Sequence, residues 1–233
     1  MQAVILAGGL GTRLGDITKS VPKPMVVVAG KPYLEHQLAM LGGQGFCDVL
    51  LLTGYLGEQI EDYFGDGSSR GFSIRYSRET TPQGTGGALR DAAALLATQF
   101  LLVYGDSFLP IDYTAVADRL IESTDAIGVV VVYDNAEATT VANNIALDAK
   151  GHVARYAKDA PPAANLRYVD AGVLAFRRRV LDYLPAGRSV SLEQEVYPQL
   201  IAEHRLLGYP TTQRFYDIGT PDRLASIERL LAK

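Results

Sequence analysis

Gly8-Gly9-Leu10-Gly11-Thr12-Arg13 follows directly on the apolar run Ala3-Val4-Ile5-Leu6-Ala7, and Pro22-Lys23-Pro24 begins nine positions beyond Arg13. An apolar run of this length bounded by glycines reads as a buried strand. The three glycines let the turn after it take conformations that a Cβ forbids, and they let a polyanion approach the backbone N–H groups. Arg13 and Lys23 add two cations beside that turn. The strand end and turn together, Leu6, Ala7, Gly8, Gly9, Gly11 and Thr12, read as a seat for a nucleoside triphosphate. Two better-known phosphate loops fit worse. The dinucleotide fingerprint wants a glycine where Leu14 stands, and the ATPase loop wants a Gly-Lys-Ser/Thr that does not follow. A lone Gly-Gly-x-Gly is equally a plain strand-to-loop turn, and the paired cations are what favour the phosphate reading.

Outward from this stretch, strand-like and helix-like segments alternate. A helix is predicted from Tyr33 to Leu41, with Leu34, Leu38 and Leu41 on one face. Val49 to Leu52 reads as a buried strand, Leu56 to Phe64 as a short helix with Gly65 after it, and Phe72 to Tyr76 as an alternating strand. Gly84-Thr85-Gly86-Gly87 leads into a helix from Ala88 to Leu96. Phe100 to Tyr104 is a further buried strand, ending at Gly105-Asp106. Asp112 is placed to cap a helix carrying Val116, Leu120 and Ile121, and Ile127 to Tyr133 is strongly β-prone. This alternation argues an α/β fold, a mostly parallel central sheet with helices on both faces. From about residue 135 the pattern changes. Asp148-Ala149-Lys150-Gly151 reads as a hairpin turn, Tyr168 to Phe176 as a strand, Ser191 with Gln194 as a capping box opening a helix to Glu203, and Thr220-Pro221 as the start of a last helix.

The chain has 233 residues, 48% hydrophobic and 21% charged, with a net charge of −4 and one cysteine. That balance carries no nucleic-acid footprint, and a lone Cys47 suits a reducing compartment. No stretch approaches the roughly 20 apolar residues of a membrane span. The N-terminus enters a strand with no cationic leader, so a cytoplasmic protein is expected. His36, His152 and His204 are too scattered for a metal cluster by spacing, and no nucleophile with a paired base is visible.

Several residues could carry chemistry. Asp106 ends a buried parallel strand, where ligands of open α/β sheets bind, and a carboxylate there can hold Mg²⁺ or simply cap the next segment. Asp217, before Ile218-Gly219-Thr220-Pro221, could supply a second oxygen ligand or belong to the helix start. Gly84, Thr85, Gly86 and Gly87 sit at a helix N-terminus with its free N–H groups, unless they are only a flexible turn. Gln83 could read a base edge.

Gly-Gly-x-Gly-Thr-Arg-Leu at 8–14 with Pro-Lys-Pro-Met at 22–25 resembles the sugar-1-phosphate nucleotidyltransferases, and the resemblance runs nearly end to end. It implies a glycosyltransferase-A-type nucleotide-binding fold in a single domain over residues 1–233, about 1–134 facing the nucleotide and about 135–233 the sugar phosphate. It implies a Mg²⁺-dependent reaction of a nucleoside triphosphate with a sugar 1-phosphate. Asp106 and Asp217 match the family's metal aspartates, and by charge placement Arg13 and Lys23 are expected to neutralise the triphosphate and the leaving pyrophosphate. Lys158 stands where the family carries Glu-Lys-Pro, with Ala157 in place of Glu and the proline at 161. Tyr168, Asp170 and Gly172 occupy the sugar-facing Asn-Ala-Gly position, with Asp replacing Asn, and Asn144 stands at a sugar-facing polar position. Ser191-Leu192-Glu193 and Tyr216-Asp217-Ile218-Gly219 resemble the compact bacterial members. Among these are the heptose-1-phosphate guanylyltransferases, which this chain resembles more, and the N-acetylmuramate-1-phosphate uridylyltransferases. The alternatives are UTP, dTTP or CTP with a hexose or N-acetylmuramate 1-phosphate, a non-catalytic nucleotide-sugar sensor and, last, a glycosyltransferase, for which Asp106 lacks the second Asp. The family often forms oligomers, so a homo-oligomer falls within the expectation.

Overall fold

In a computed structural model, the structure describes residues 1–137, 139–158 and 165–232. The strands, in chain order, are β1 Gln2–Ala7, β2 Val27–Val28, β3 Lys31–Pro32, β4 Asp48–Thr53, β5 Ser73–Arg78, β6 Gln99–Tyr104, β7 Ser107–Phe108, β8 Gly128–Tyr133, β9 Ile145–Leu147, β10 Val153–Tyr156, β11 Val169–Arg177, β12 Leu206–Thr211 and β13 Tyr216–Asp217. The α-helices are α1 Tyr33–Gly42, α2 Gly57–Phe64, α3 Gly84–Asp91, α4 Tyr113–Glu122, α5 Tyr197–Ala202 and α6 Pro221–Leu231. Seven strands form one sheet in the order β12-β8-β11-β6-β1-β4-β5. All neighbours run parallel except β11, which is antiparallel to both β6 and β8. The α/β expectation from strand–helix alternation therefore holds.

The sheet is buried on both faces because its central strands carry near-continuous apolar runs, Ala3–Ala7, Phe100–Val103 and Val129–Val132 among them. Ala3 and Ile5 of β1 and Val49 and Leu51 of β4 meet Leu34, Leu38 and Leu41 of α1 on one face. Val4, Leu50 and Leu52 face the other way, in a core shared with Leu89 of α3 and Tyr197 and Leu200 of α5. Continuous apolar runs of this kind are what a parallel sheet covered on both sides requires.

The expected hairpin is present: β9 pairs antiparallel with β10 across Asp148–Gly151. Some expectations about helix starts need correction. The helix after the second glycine cluster starts at Gly84, not Ala88, and ends at Asp91. The segment after Ser191 opens as a π-helical turn, Leu192–Val196, before α5. Ser191 does accept the Gln194 N–H, but its own N–H goes to the Glu195 carboxylate, so Gln194 does not close a capping box. Edge strand β12 is an addition, hidden in the sequence by Gly208 and Pro210. Gly208 turns its N–H outward to the Gly151 carbonyl at 2.8 Å. Pro210, two residues on, has the same orientation, so its missing N–H falls on the unpaired edge.

Candidate active site

The parallel strands β1, β4, β5 and β6 end together at one edge of the sheet. Because β11 runs the other way, its first residues reach that same edge: Val169 pairs with Tyr133 and Asp170 with Val132 at the end of β8. Residues over a hundred positions apart thus surround one cavity of about 480 Å³, which is lined by the Gly8–Arg13 turn, Lys23, Glu79, Tyr104, Asp106 and Gly219, among others. That volume lies within the range of about 300–1,000 Å³ usual for small-molecule sites.

The turn after β1 is held open by Gly11, which sits at φ +67°, where a Cβ would also stand 2.9 Å from Thr18 Cγ2. Thr18 Oγ1 donates to the Gly11 carbonyl at 3.0 Å and closes the loop from below. Arg13 is exposed. Its guanidinium reaches across to the Asp217–Thr220 turn, about 3.5 Å from where a Cβ on Gly219 would lie. Pro22 and Pro24 hold Lys23 in a short 3₁₀ turn. Lys23 is buried, and its Nζ contacts Asp106 Oδ2 at 2.6 Å.

Asp106 and Asp217 meet. Strands β7 and β13 pair antiparallel with Asp217 opposite Ser107, and the Ile218 N–H donates to the Asp106 carbonyl at 3.1 Å. Gln37, fully buried in α1, fixes this bend by donating to the carbonyls of Tyr104 at 2.9 Å and Ser107 at 2.7 Å. Asp217 Oδ1 accepts the Gly219 N–H at 2.7 Å, and Arg223 grips both its oxygens at 3.0 and 3.2 Å. Beside them, the buried Tyr33 hydroxyl has no hydrogen-bond partner among the described residues. Burial, then the Asp106 charge, hold its phenol well above the ordinary range, with Tyr113 and Asp217 adding to the effect. Two carboxylates one ladder step apart, with an orphaned hydroxyl next to them, are an oxygen-only donor set of the kind Mg²⁺ takes.

At the other wall, Gly84 opens α3 at φ +75°, with a Cβ position only 2.5 Å from the Val190 carbonyl. The four residues of this glycine cluster are not equivalent, contrary to the expectation of a row of free N–H groups. Gly86 and Gly87 are buried and direct their N–H groups to the Val190 carbonyl at 2.8 and 3.4 Å. Gly84 and Thr85 line the cavity. Gln83 turns its amide to Thr81 Oγ1 at 2.8 Å, and it is Glu79 that faces the cavity, accepting the Gln83 N–H at 2.9 Å. Burial pushes the Glu79 carboxyl up.

A polar network continues from there toward β11. Glu193 accepts from Ser191 Oγ at 2.6 Å, from Thr85 Oγ1 at 3.0 Å and, through a short hydrogen bond, from the Tyr104 hydroxyl. Asp170 accepts the Gly172 N–H at 2.9 Å and the Tyr197 hydroxyl at 3.0 Å, and donates its own N–H to Asn144 Oδ1 at 2.9 Å. Burial, with Glu193 contributing, pushes the Asp170 carboxyl up to about 7. Tyr156 packs edge-on to Tyr197, ring centroids 5.2 Å apart. Tyr168 bridges to Ile145, whose strand starts just after Asn144. Lys158 is exposed at the end of the hairpin. Pro161, with the rest of 159–164, lies outside the described residues. Sequence reasoning missed Gln37, Glu79, Tyr104, Tyr197 and Arg223 as parts of this site, and met Glu193 only within a resemblance.

With the geometry in place, comparison with known proteins fixes the class. A nucleotidyl transferase family model matches residues 2–233, and the chain belongs to that family. A mannose-1-phosphate guanylyltransferase from Mycobacterium tuberculosis is 35% identical over 229 residues, covering 95% of this chain and 62% of the relative. A D-glycero-α-D-manno-heptose 1-phosphate guanylyltransferase from Aneurinibacillus thermoaerophilus is 31% identical over 223 residues, 95% of this chain and 94% of the relative. The crystal structure of HddC from Yersinia pseudotuberculosis complexed with GMP-PN superposes with a TM-score of 0.79 at 25% identity, covering 99% of both chains. This chain spans 62% and 64% of the length of the first two curated relatives it matches, and nearly all of the heptose enzyme. Among the described residues, no helix is long and apolar enough to cross a membrane.

Proposed function

We propose that this chain transfers a nucleoside monophosphate from a nucleoside triphosphate to a sugar 1-phosphate, and that GTP and a heptose 1-phosphate are its pair. The observation that carries the reaction type is the convergence of the Gly8–Arg13 turn, Lys23 and the Asp106–Asp217 ladder on one cavity mouth. A sugar-phosphate oxygen attacks the α-phosphorus, an α–β bridging P–O bond breaks, and pyrophosphate leaves. Phosphoryl chemistry of this kind runs on positioning and charge neutralisation, without a protein nucleophile. The turn's N–H groups and Arg13 take the triphosphate, Lys23 the charge that builds on the leaving pyrophosphate, and Lys158 the attacking phosphate. Asp106 and Asp217 would hold Mg²⁺, which when bound neutralises phosphate oxygens at the reacting centre.

The base preference rests on Glu79. Its carboxylate offers acceptors, and the Watson–Crick edge of guanine presents two adjacent donors, N1–H and N2–H. Uracil and thymine present one, N3–H, and cytosine one amino group, so UTP, dTTP and CTP rank behind GTP. The sugar preference rests on the second wall. Glu193, Asp170 and the tyrosine hydroxyls suit a neutral, hydroxyl-rich sugar. They disfavour the carboxylate of N-acetylmuramate through like charge. A reading of another class, a nucleotide-sugar sensor, has one observation in its favour: Lys23 and Arg223 already neutralise both aspartates.

The test is product analysis with Mg²⁺ for five nucleoside triphosphates crossed with hexose, amino-sugar, N-acetylmuramate and heptose 1-phosphates. Nucleotide-sugar formation strongest for GTP with the heptose supports the full reading. A different best pair overturns the specificity alone. Triphosphate binding with no product from any pair moves the assignment to the sensor.

A further inference from the structure

Three residues that the proposed function does not use come together where the β9–β10 turn meets the turn after α5. Asp148 and His152 lie at the turn between β9 and β10, and His204 follows α5. Contrary to what the spacing of the histidines suggests, one ligand atom from each, a carboxylate oxygen or a ring nitrogen, lies within 4.8 Å of the others. We propose that Asp148, His152 and His204 form a binding site for a borderline transition-metal ion such as Zn²⁺, which pins the β9–β10 hairpin to the turn between α5 and β12.

The donor chemistry is selective. Two imidazoles and a carboxylate suit Zn²⁺, Co²⁺, Ni²⁺ or Cu²⁺, whereas Mg²⁺ prefers oxygen ligands only. Catalytic and regulatory zinc sites commonly use three protein ligands and leave a position to water. The geometry is half built. His152 Nδ1 and Asp148 Oδ2 stand 3.3 Å apart. Bonds of about 2.0–2.2 Å in a tetrahedron put neighbouring ligand atoms roughly 3.3–3.5 Å from each other, so this pair already has the required edge length.

The supporting contacts orient both ligands. Asp148 Oδ1 accepts the N–H groups of Lys150 at 2.8 Å and His152 at 2.9 Å, which leaves Oδ2 as the oxygen facing the ring. Fixing a ligand carboxylate through its other oxygen is the usual task of groups behind a metal site. His204 adopts φ +56°, a left-handed conformation uncommon for a side-chain-bearing residue. That conformation brings its ring to 5.8 Å from His152, edge to face. The two segments are also fixed to each other without metal. Gly208 N–H donates to the Gly151 carbonyl, and His152 bridges to Leu207. Only the exposed His204 ring has to close in. Against the site stands Arg119, whose guanidinium lies 3.7 Å from where a Cβ on Gly151 would be. A nearby positive charge and three ligands rather than four place the affinity below that of a closed structural zinc site.

The experiment uses the untagged full chain with Co²⁺ as a spectroscopic probe and Zn²⁺ as a thermal one. Tetrahedral Co²⁺ absorbs strongly in the visible, and a Co²⁺ held by Asp106 and Asp217 with waters does not. The expected result is one visible-absorbing Co²⁺ per chain, displaced by Zn²⁺, with Tm raised by about 2–6 °C at saturating Zn²⁺. His204→Asn, which keeps a residue tolerant of left-handed backbone, removes both signals, and Asp217→Asn keeps them. His152→Asn repeats the loss from the second segment. Absence of the visible band in the wild-type chain, or a band and Tm shift unchanged in His204→Asn, overturns the proposal. Neither readout depends on nucleotidyl transfer.

Discussion

Lys23 and Asp170 show how burial changes what a single ionisable residue does. Lys23 is buried against Asp106, so its charge is already desolvated and aimed at the cavity. A fixed cation in a water-poor site stabilises developing negative charge more than a mobile surface lysine does. Replacing it with the near-isosteric Met keeps the packing and removes the charge. Lys23→Met is expected to lower kcat by about 10²–10³-fold with an unchanged circular dichroism spectrum. Turnover within twofold of wild type would exclude Lys23 from the chemistry. Asp170 works in the opposite sense. Its carboxyl is pushed up to about 7, mainly by burial, so the folded protein binds a proton that the unfolded chain releases near its ordinary value of 3.8. Stability from this group is therefore largest at acidic pH and falls as pH rises from about 4 to about 7. The residue is only half-buried, which reduces the effect to roughly 1–3 kcal/mol. Asp170→Asn is expected to match wild type near pH 4.5 and to exceed it in Tm at pH 8. A gap that closes at alkaline pH would contradict the assignment. Neither feature is visible in sequence: Lys23 was legible as a cation beside a glycine turn, but its partner Asp106 is 83 positions away.

At the scale of elements, caps and starts separate what local sequence dictates from what packing dictates. Asp112 accepts the N–H groups of Thr114 and Ala115 at 2.8 and 3.2 Å, as its position before α4 predicts. Thr220 looks equally good before Pro221, yet it makes no capping hydrogen bond. Asp112→Ala should thus cost about 1 kcal/mol in urea denaturation and Thr220→Ala close to nothing. Equal costs would mean that sequence preference, not the observed bond, sets helix-start stability here. Gly84 belongs to the packing class. Gly84→Ala forces a Cβ into a positive φ and onto the Val190 carbonyl, and should cost about 2–4 kcal/mol, whereas the same change at open, positive-φ Gly187 should cost about 1 kcal/mol. The early start of α3 has this same origin. Gly84 to Gly87 form a helical turn only because Val190 packs on them and accepts two of their N–H groups. Glycine has a poor helix propensity, so a sequence reader places the start at Ala88. The edge strand β12 escaped for a related reason, since Gly208 and Pro210 mark a break everywhere except on a sheet edge.

For the whole molecule, one inversion organises the site. The apolar runs of β1, β4, β6 and β8 made the parallel sheet legible, because strands covered on both faces read as near-continuous apolar runs. What no run of residues discloses is that β11 enters between β6 and β8 in the reverse direction. That reversal places Asp170 beside the carboxyl ends of the parallel strands, next to the cavity walls built by the Gly8–Arg13 turn and Gly84–Thr85. The short β7–β13 ladder does the same for Asp106 and Asp217, which spacing alone left 111 positions apart. Motif resemblance named many of these residues; the topology explains why they can act together. It also brings together Glu193 and Tyr104, 89 positions apart in sequence, whose hydrogen bond links the two walls. The most direct test of this account follows the phosphorus atoms of GTP by ³¹P NMR, with Mg²⁺, a heptose 1-phosphate and the wild-type chain. One pyrophosphate released for each nucleotide diphosphate sugar formed is the predicted result. Inorganic phosphate in place of pyrophosphate, or GTP left intact while bound, would contradict it.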